Sequence, residues 1–230
     1  MEMKTSKNNL YQLLGIAFFA QALLPLIGGL VFQSLEVKGD TSITMSNIAN
    51  HVPTVIITIL LWIAALIGVI ILGIALYDMV NHLNKTMAMI AFSMYLLEAV
   101  LAAVGQIFVF GLVKLSQQFL ASGDAGLLSI GSVLLSCRHF AGEIAMIPFG
   151  VGAIIFYYLL MKAGTIPKWL AIWGLVTAPL IMVGIPLTTF GIAVPNFVFA
   201  PYVPFEFFTG IYILIRYRKK SIKKRIMTAA

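Results

Sequence analysis

The sequence contains one cysteine, Cys137, in 230 residues. That excludes an intramolecular disulfide and any metal site built on several cysteines. Charge is equally scarce: Asp, Glu, Lys and Arg make up 10% of the chain, where a soluble domain carries about a quarter. No glycine-rich nucleotide loop, no His-Glu-x-x-His and no Gly-x-Ser-x-Gly is present, so the signatures of P-loop, zincin and serine-hydrolase chemistry are missing. The three histidines, His51, His82 and His139, fall at both membrane faces of the topology derived below. Neither a metal nor a cofactor is expected. What fills the chain instead is apolar: 61% of residues are hydrophobic and the mean hydropathy is +1.02. A composition of this kind belongs to an integral membrane protein.

A spanning helix needs about 20 mostly apolar residues. Six stretches qualify, at residues 10–32, 53–77, 86–113, 127–161, 167–192 and 197–215. They are continuously apolar rather than alternating, which predicts helices and not barrel strands. The first follows Lys4 and Lys7, as a signal peptide would, but its apolar run is too long for an h-region and reads as a retained helix. The expected architecture is an all-α six-helix transmembrane bundle forming one domain over residues 1–230. Twelve of the fifteen basic residues fall on one side of that topology, among them Lys85, Lys162, Lys168 and the tail from Arg216. Lys38 and Lys114 fall on the other. The positive-inside rule then puts both termini in the cytoplasm. The tail 216–230, with "RYRKKSIKKR", suits anionic lipid headgroups. The net charge of +7 follows from topology and gives no reason to expect nucleic acid. Tyr11, Tyr77, Tyr157, Tyr158, Trp169 and Tyr212 lie near span ends and read as interfacial anchors. Trp62 and Trp173 lie deeper, where packing or a cavity wall would use them.

Polar groups inside the spans carry the functional signal, since each is costly at the bilayer centre unless paired or neutralised. Counting about 1.5 Å per residue, Glu98 sits about 18 Å above Thr86 and Glu206 about 14 Å above Ile215. Both fall near the midplane of a hydrocarbon core about 30 Å thick. Glu143 sits higher, about 27 Å above Met161, with Arg138 and His139 near the outer boundary. No Lys or Arg shares the depth of Glu98 and Glu206. Such a pair is protonated and fixes helix packing, holds a cationic ligand, or lines a wet cavity. Ser129, Ser132, Ser136, His139 and Glu143 follow spacings of 3, 4, 3 and 4, which share one helical face. They describe a polar descent or a buried, satisfied face. His139 and Glu143, four apart, can bond directly. The fourth span is overlong and either projects outward or bends near Gly142 and Pro148. In "PYVPFEFF", Pro201 and Pro204 either kink a helix or start one with Glu206 in its first turn. Gln21 and Pro25 of the first span complete the candidate cavity, and Tyr95 lies one turn from Glu98.

"LNKTMAMIAFSMYLLEAVL", "FYYLLMKAGTIPKWLAIWGLV" and "PFEFF" together resemble a bacterial family of six-span membrane proteins called domain of unknown function 4386. The resemblance runs from the first span to the last and implies six helices in a bacterial inner membrane, with no assigned activity. The family motif in the third span implies an arginine three residues before the acid matched by Glu98; this chain has Tyr95 there. Three readings follow. The first is small-molecule binding for transport or sensing, with Glu98, Glu206, Gln21 and Tyr95 deep and Glu143, His139 and Arg138 at the outer mouth, suited to an amine or lipophilic cation. The second is an intramembrane lipid-modifying enzyme using His139 and Glu143. The third is a partner-binding membrane protein with no site of its own.

Overall fold

The computed structural model describes the backbone of residues 2–229 and the side chains of residues 13–216 except Asn196. The expectations resting on Lys4, Lys7, Tyr11 and the basic tail beyond Arg216 lie outside the described side chains. Among the described residues there are seven α-helices, one short 3-10 helix and no strand. They are α1 Glu2–Gln33, α2 Thr41–Asn50, α3 Val52–Val80, α4 Lys85–Ser122, α5 Gly126–Lys162, α6 Lys168–Thr189 and α7 Tyr202–Ala229. Five of them, α1, α3, α4, α5 and α6, are long and apolar enough to cross a membrane. Helices are the expected solution, because lipid offers no partner for a backbone N–H or C=O. Side chains such as Ile57, Leu60, Ile107 and Val176 point outward, each more than half exposed, as a lipid-facing surface requires.

The helices alternate direction, placing Lys85, Lys162, Lys168 and Arg216 on one face, the basic face, and Lys38 on the opposite one. α4 packs along α5, α1 along α3 and α7, and α6 along α5. Asn84 starts α4 by accepting from the Met87 N–H at 3.0 Å, and Gly123, with φ +66°, ends it. The α1–α7 crossing is tight: a Cβ built on Gly210 would stand 3.3 Å from the Gly15 carbonyl oxygen. Small residues permit such close approach between helices in lipid.

The overlong fourth stretch does not break. α5 runs 37 residues without interruption through Pro148, and α4 matches it with 38, so each is about 55 Å long. Each is longer than a hydrocarbon core of about 30 Å, and α2 packs against both towards the Lys38 face. Asp40 caps α2 by accepting from the Ile43 N–H at 2.9 Å. Its Met45 and Ile48 join Phe32, Val55, Leu112 and Val113 in a second hydrophobic core. No element was expected between residues 33 and 52.

The sixth stretch needs correction. Instead of a helix over 197–215, residues 196–198 form a 3-10 turn and α7 begins only at Tyr202. Arg216 Nη1 donates to the Gly164 and Thr165 carbonyls at 3.0 and 2.8 Å, holding α7 to the α5–α6 turn on the basic face. From there Tyr202 is about 21 Å up, whereas α6 climbs about 32 Å from Lys168 to Thr189. Residues 190–201 therefore descend, and Phe199 packs on Gly184 of α6. α7 starts inside the bundle, with Pro204 in its first turn, where a missing N–H leaves no bond unmade. One smaller expectation also changes. Tyr157 is fully buried against Phe205 and is no interfacial anchor.

Candidate functional site

Six helices meet around a cavity of about 240 Å3, and it holds both midplane acids. α4 supplies Glu98, α7 supplies Glu206 and Tyr202, and α1 supplies Gln21 and Pro25. Trp62, Leu66 and Val69 of α3 and Phe149 of α5 give it apolar walls. Among the described residues no Lys or Arg lines it. Glu98 and Glu206 are 7% and 6% exposed, so each lies in a place where an uncompensated charge is expensive. Gln21 donates its Nε2 to Glu206 Oε1. Gln21 Oε1 and Glu98 Oε2 are buried with no hydrogen-bond partner among the described residues. The α7 helix places Tyr202 four residues before Glu206, on the same face. Its hydroxyl pairs with that of Tyr157 at 2.7 Å.

An aromatic layer closes the cavity towards the basic face. Tyr95 is fully buried, stacked on Phe149 at 6.0 Å and edge-on to Phe156 at 5.3 Å. Gly152 makes room for it: a Cβ there would meet the Tyr95 ring at 2.6 Å and the Ala91 carbonyl oxygen at 3.0 Å. Tyr95 thus belongs to the floor and not to the cavity lining, and its hydroxyl has no partner among the described residues.

Towards the Lys38 face two further spaces adjoin the cavity. A second space of about 280 Å3 shares Trp62, Ala102, Gly142, Met146 and Ile185 with the first and adds Gln106, Arg138, His139 and Glu143. A third, a vestibule of about 490 Å3, shares Arg138 and His139 with the second and adds Glu36 and Lys38. One expectation about this route is corrected. His139 and Glu143 do not bond each other. His139 Nε2 reaches Glu36 at 3.1–3.2 Å, and Glu143 accepts from the Thr189 hydroxyl of α6. Both longer-range partners win because the tertiary fold brings them within reach of side chains already on that face. Arg138 does not compensate Glu98. It lies over the Phe32 ring at 3.9 Å, with Nη1 3.7 Å from Glu36. The serine stripe likewise ends early: Ser129 and Ser136 are exposed and donate to the Gly126 and Ser132 carbonyls of their own helix.

Glu36 is the group that residue-by-residue reading missed. It follows α1 in a connection with no periodicity to flag it. The hydrogen bond from His139 holds its carboxyl below the usual carboxylate range, burial opposes that, and the charges of His139, Arg138 and Lys38 reinforce it. Gln106, Tyr202 and Thr189 were missed too, although Tyr202 stands one helical turn before Glu206 in a segment already under scrutiny.

A family model, Domain of unknown function (DUF4386), matches residues 13–216. The chain belongs to that family. The match takes in every residue lining the cavity and the vestibule. No curated protein and no solved structure matches the chain.

Proposed function

We propose that this DUF4386 protein binds a small organic cation in the Glu98–Glu206 cavity, for transport or sensing across the membrane. The observation that carries the reading is a buried, largely apolar space holding two acidic side chains and, among the described residues, no fixed cation and two unpartnered acceptor oxygens, on Gln21 and Glu98. A primary ammonium offers three donors, which Glu98, Glu206 and the Gln21 oxygen can accept, while Trp62, Leu66 and Phe149 take an apolar body. The volume restricts the ligand to a few heavy atoms beyond the amine. The vestibule above carries Arg138 and Lys38, so the amine passes it most easily uncharged and takes a proton from a cavity carboxyl on arrival. That transfer leaves one ammonium and one carboxylate, a matched pair in low dielectric.

The same reading includes six crossings, the sixth made by the descending residues 190–201 followed by α7. The whole chain is then one transmembrane domain with a basic tail at 216–230, in a bacterial inner membrane. Both termini face the cytoplasm, and the tail lies against anionic headgroups. The asymmetry of basic residues supports that orientation. The intramembrane-enzyme reading has no geometry in its favour, since His139 and Glu143 engage different partners.

Calorimetric titration of the detergent-purified protein with hexylamine and with hexanol tests the proposal. Hexylamine is expected to bind at least ~10-fold more tightly than the isosteric alcohol, since a charged hydrogen-bonded contact contributes about 1.5–3 kcal/mol. Equal affinity for the two would mean that the cavity reads apolar shape and not charge.

A further inference from the structure

The vestibule has a chemistry of its own. Arg138 sits 24 residues before Lys162 on the unbroken α5, about 36 Å up the helix. A hydrocarbon core is about 30 Å thick, so with Lys162 at one boundary Arg138 lies about 6 Å past the other. That is the depth of lipid phosphates. The Phe32 ring beneath the guanidinium fixes its plane. Its nearest acid oxygen, on Glu36, is 3.7 Å away, beyond hydrogen-bonding distance, and among the described residues the guanidinium makes no hydrogen bond. A planar fork of five N–H donors left unengaged matches a phosphate, which it can hold with two parallel bonds. Lys38 adds a second positive charge to the lining, and His139 a third donor.

We propose that this vestibule holds the phosphate of a phospholipid from the leaflet at the Lys38 face. Glu36 takes the place of that phosphate when the lipid is absent: its carboxylate occupies His139 and approaches Arg138 without satisfying it. The remaining wall favours a lipid over a free anion. Leu26 and Leu30 of α1 line the vestibule and are 41% and 58% exposed, giving an acyl chain an apolar track leading away from the phosphate. A volume of about 490 Å3 is within the range of sites that hold small organic ligands, enough for a phosphoglycerol group.

Native mass spectrometry of the full chain, released from detergent with added lipid, provides the test. The expected result is dioleoylphosphatidylglycerol bound at least ~10-fold more tightly than dioleoylglycerol, which has the same chains and no phosphate, one bidentate charged contact being worth about that factor. Arg138→Gln lowers the preference by about that factor, to what the basic tail contributes in both proteins. Glu36→Gln removes the internal competitor and strengthens phosphatidylglycerol binding, an effect that a merely structural Arg138–Glu36 pair does not produce. This second variant carries the test if Arg138→Gln fails to fold. A preference that persists undiminished in Arg138→Gln, or weaker binding in Glu36→Gln, overturns the proposal. So does displacement of the lipid by equimolar inorganic phosphate, which would assign the site to a free anion.

Discussion

Glu206 and Glu98 line one cavity, but their oxygens are held differently. Glu206 has Gln21 as a donor; Glu98 leaves Oε2 unpartnered. Its neighbour Tyr95 fits only because residue 152 has no side chain. Gly152→Ala pushes a methyl group into the Tyr95 ring and against the fixed Ala91 backbone, and overpacking of this kind costs ~1–3 kcal/mol. Thermal unfolding in detergent should show a lowered midpoint, and an unchanged one would mean the aromatic layer is loose. Glu36 offers a pH test. Its folded-state carboxyl titrates below the ordinary 4.5, so its contribution is complete above that value and is lost as pH falls through the lower folded-state value. Melting midpoints compared at pH 7 and pH 3.5 should fall more in the native protein than in Glu36→Gln; equal losses would contradict the pairing. Depth and helical spacing made Glu98, Glu206 and Gln21 legible in the sequence, because burial cost singles out each polar group in a greasy run. The partners of His139, Glu143 and Arg138 were not legible. Local spacing offers His139 to Glu143, but the contacts that form are 103 and 46 residues away in sequence.

At the scale of elements, hydropathy found α3, α5 and α6 to within three residues at each end, but started α1 eight residues late and ended α4 nine residues early. It missed α2, whose face is short and whose core partners come from four other segments. It also ran the last helix five residues too far towards its N-terminus, since "FVFAP" is apolar whether helical or not. The position of Pro204 distinguishes a helix start from a kink. In a first turn its missing N–H costs nothing, so Pro204→Ala should change stability by no more than ~0.5 kcal/mol. In the interior of a longer helix, removing the proline would stabilise by several times that. Thermal or chemical unfolding of the variant decides between them. At the other end, Arg216→Ala deletes both Nη1 hydrogen bonds that tie α7 to the α5–α6 turn and should cost ~1 kcal/mol. An unchanged unfolding midpoint would show that packing alone seats the helix.

The molecule as a whole is a bundle with a cavity closed by aromatic rings towards the basic face and adjoined by a vestibule on the opposite one. The proposed six-crossing arrangement puts Lys38 and Lys85 on opposite sides of the membrane. Single cysteines at these positions, in a Cys137→Ser background, should be labelled by a membrane-impermeant thiol reagent from opposite sides of oriented vesicles. Labelling of both from one side would overturn the six-crossing arrangement. Most direct for the central claim is hexylamine titration of the native protein, Glu98→Gln, Glu206→Gln and the double variant. If the two acidic side chains of one cavity hold the ammonium, each single change weakens hexylamine binding by ~10-fold or more and leaves hexanol unaffected, as loss of a hydrogen-bond partner to a charged group predicts. The two losses should also couple rather than add, because both groups serve one ligand. Full hexylamine affinity in the double variant would contradict the account.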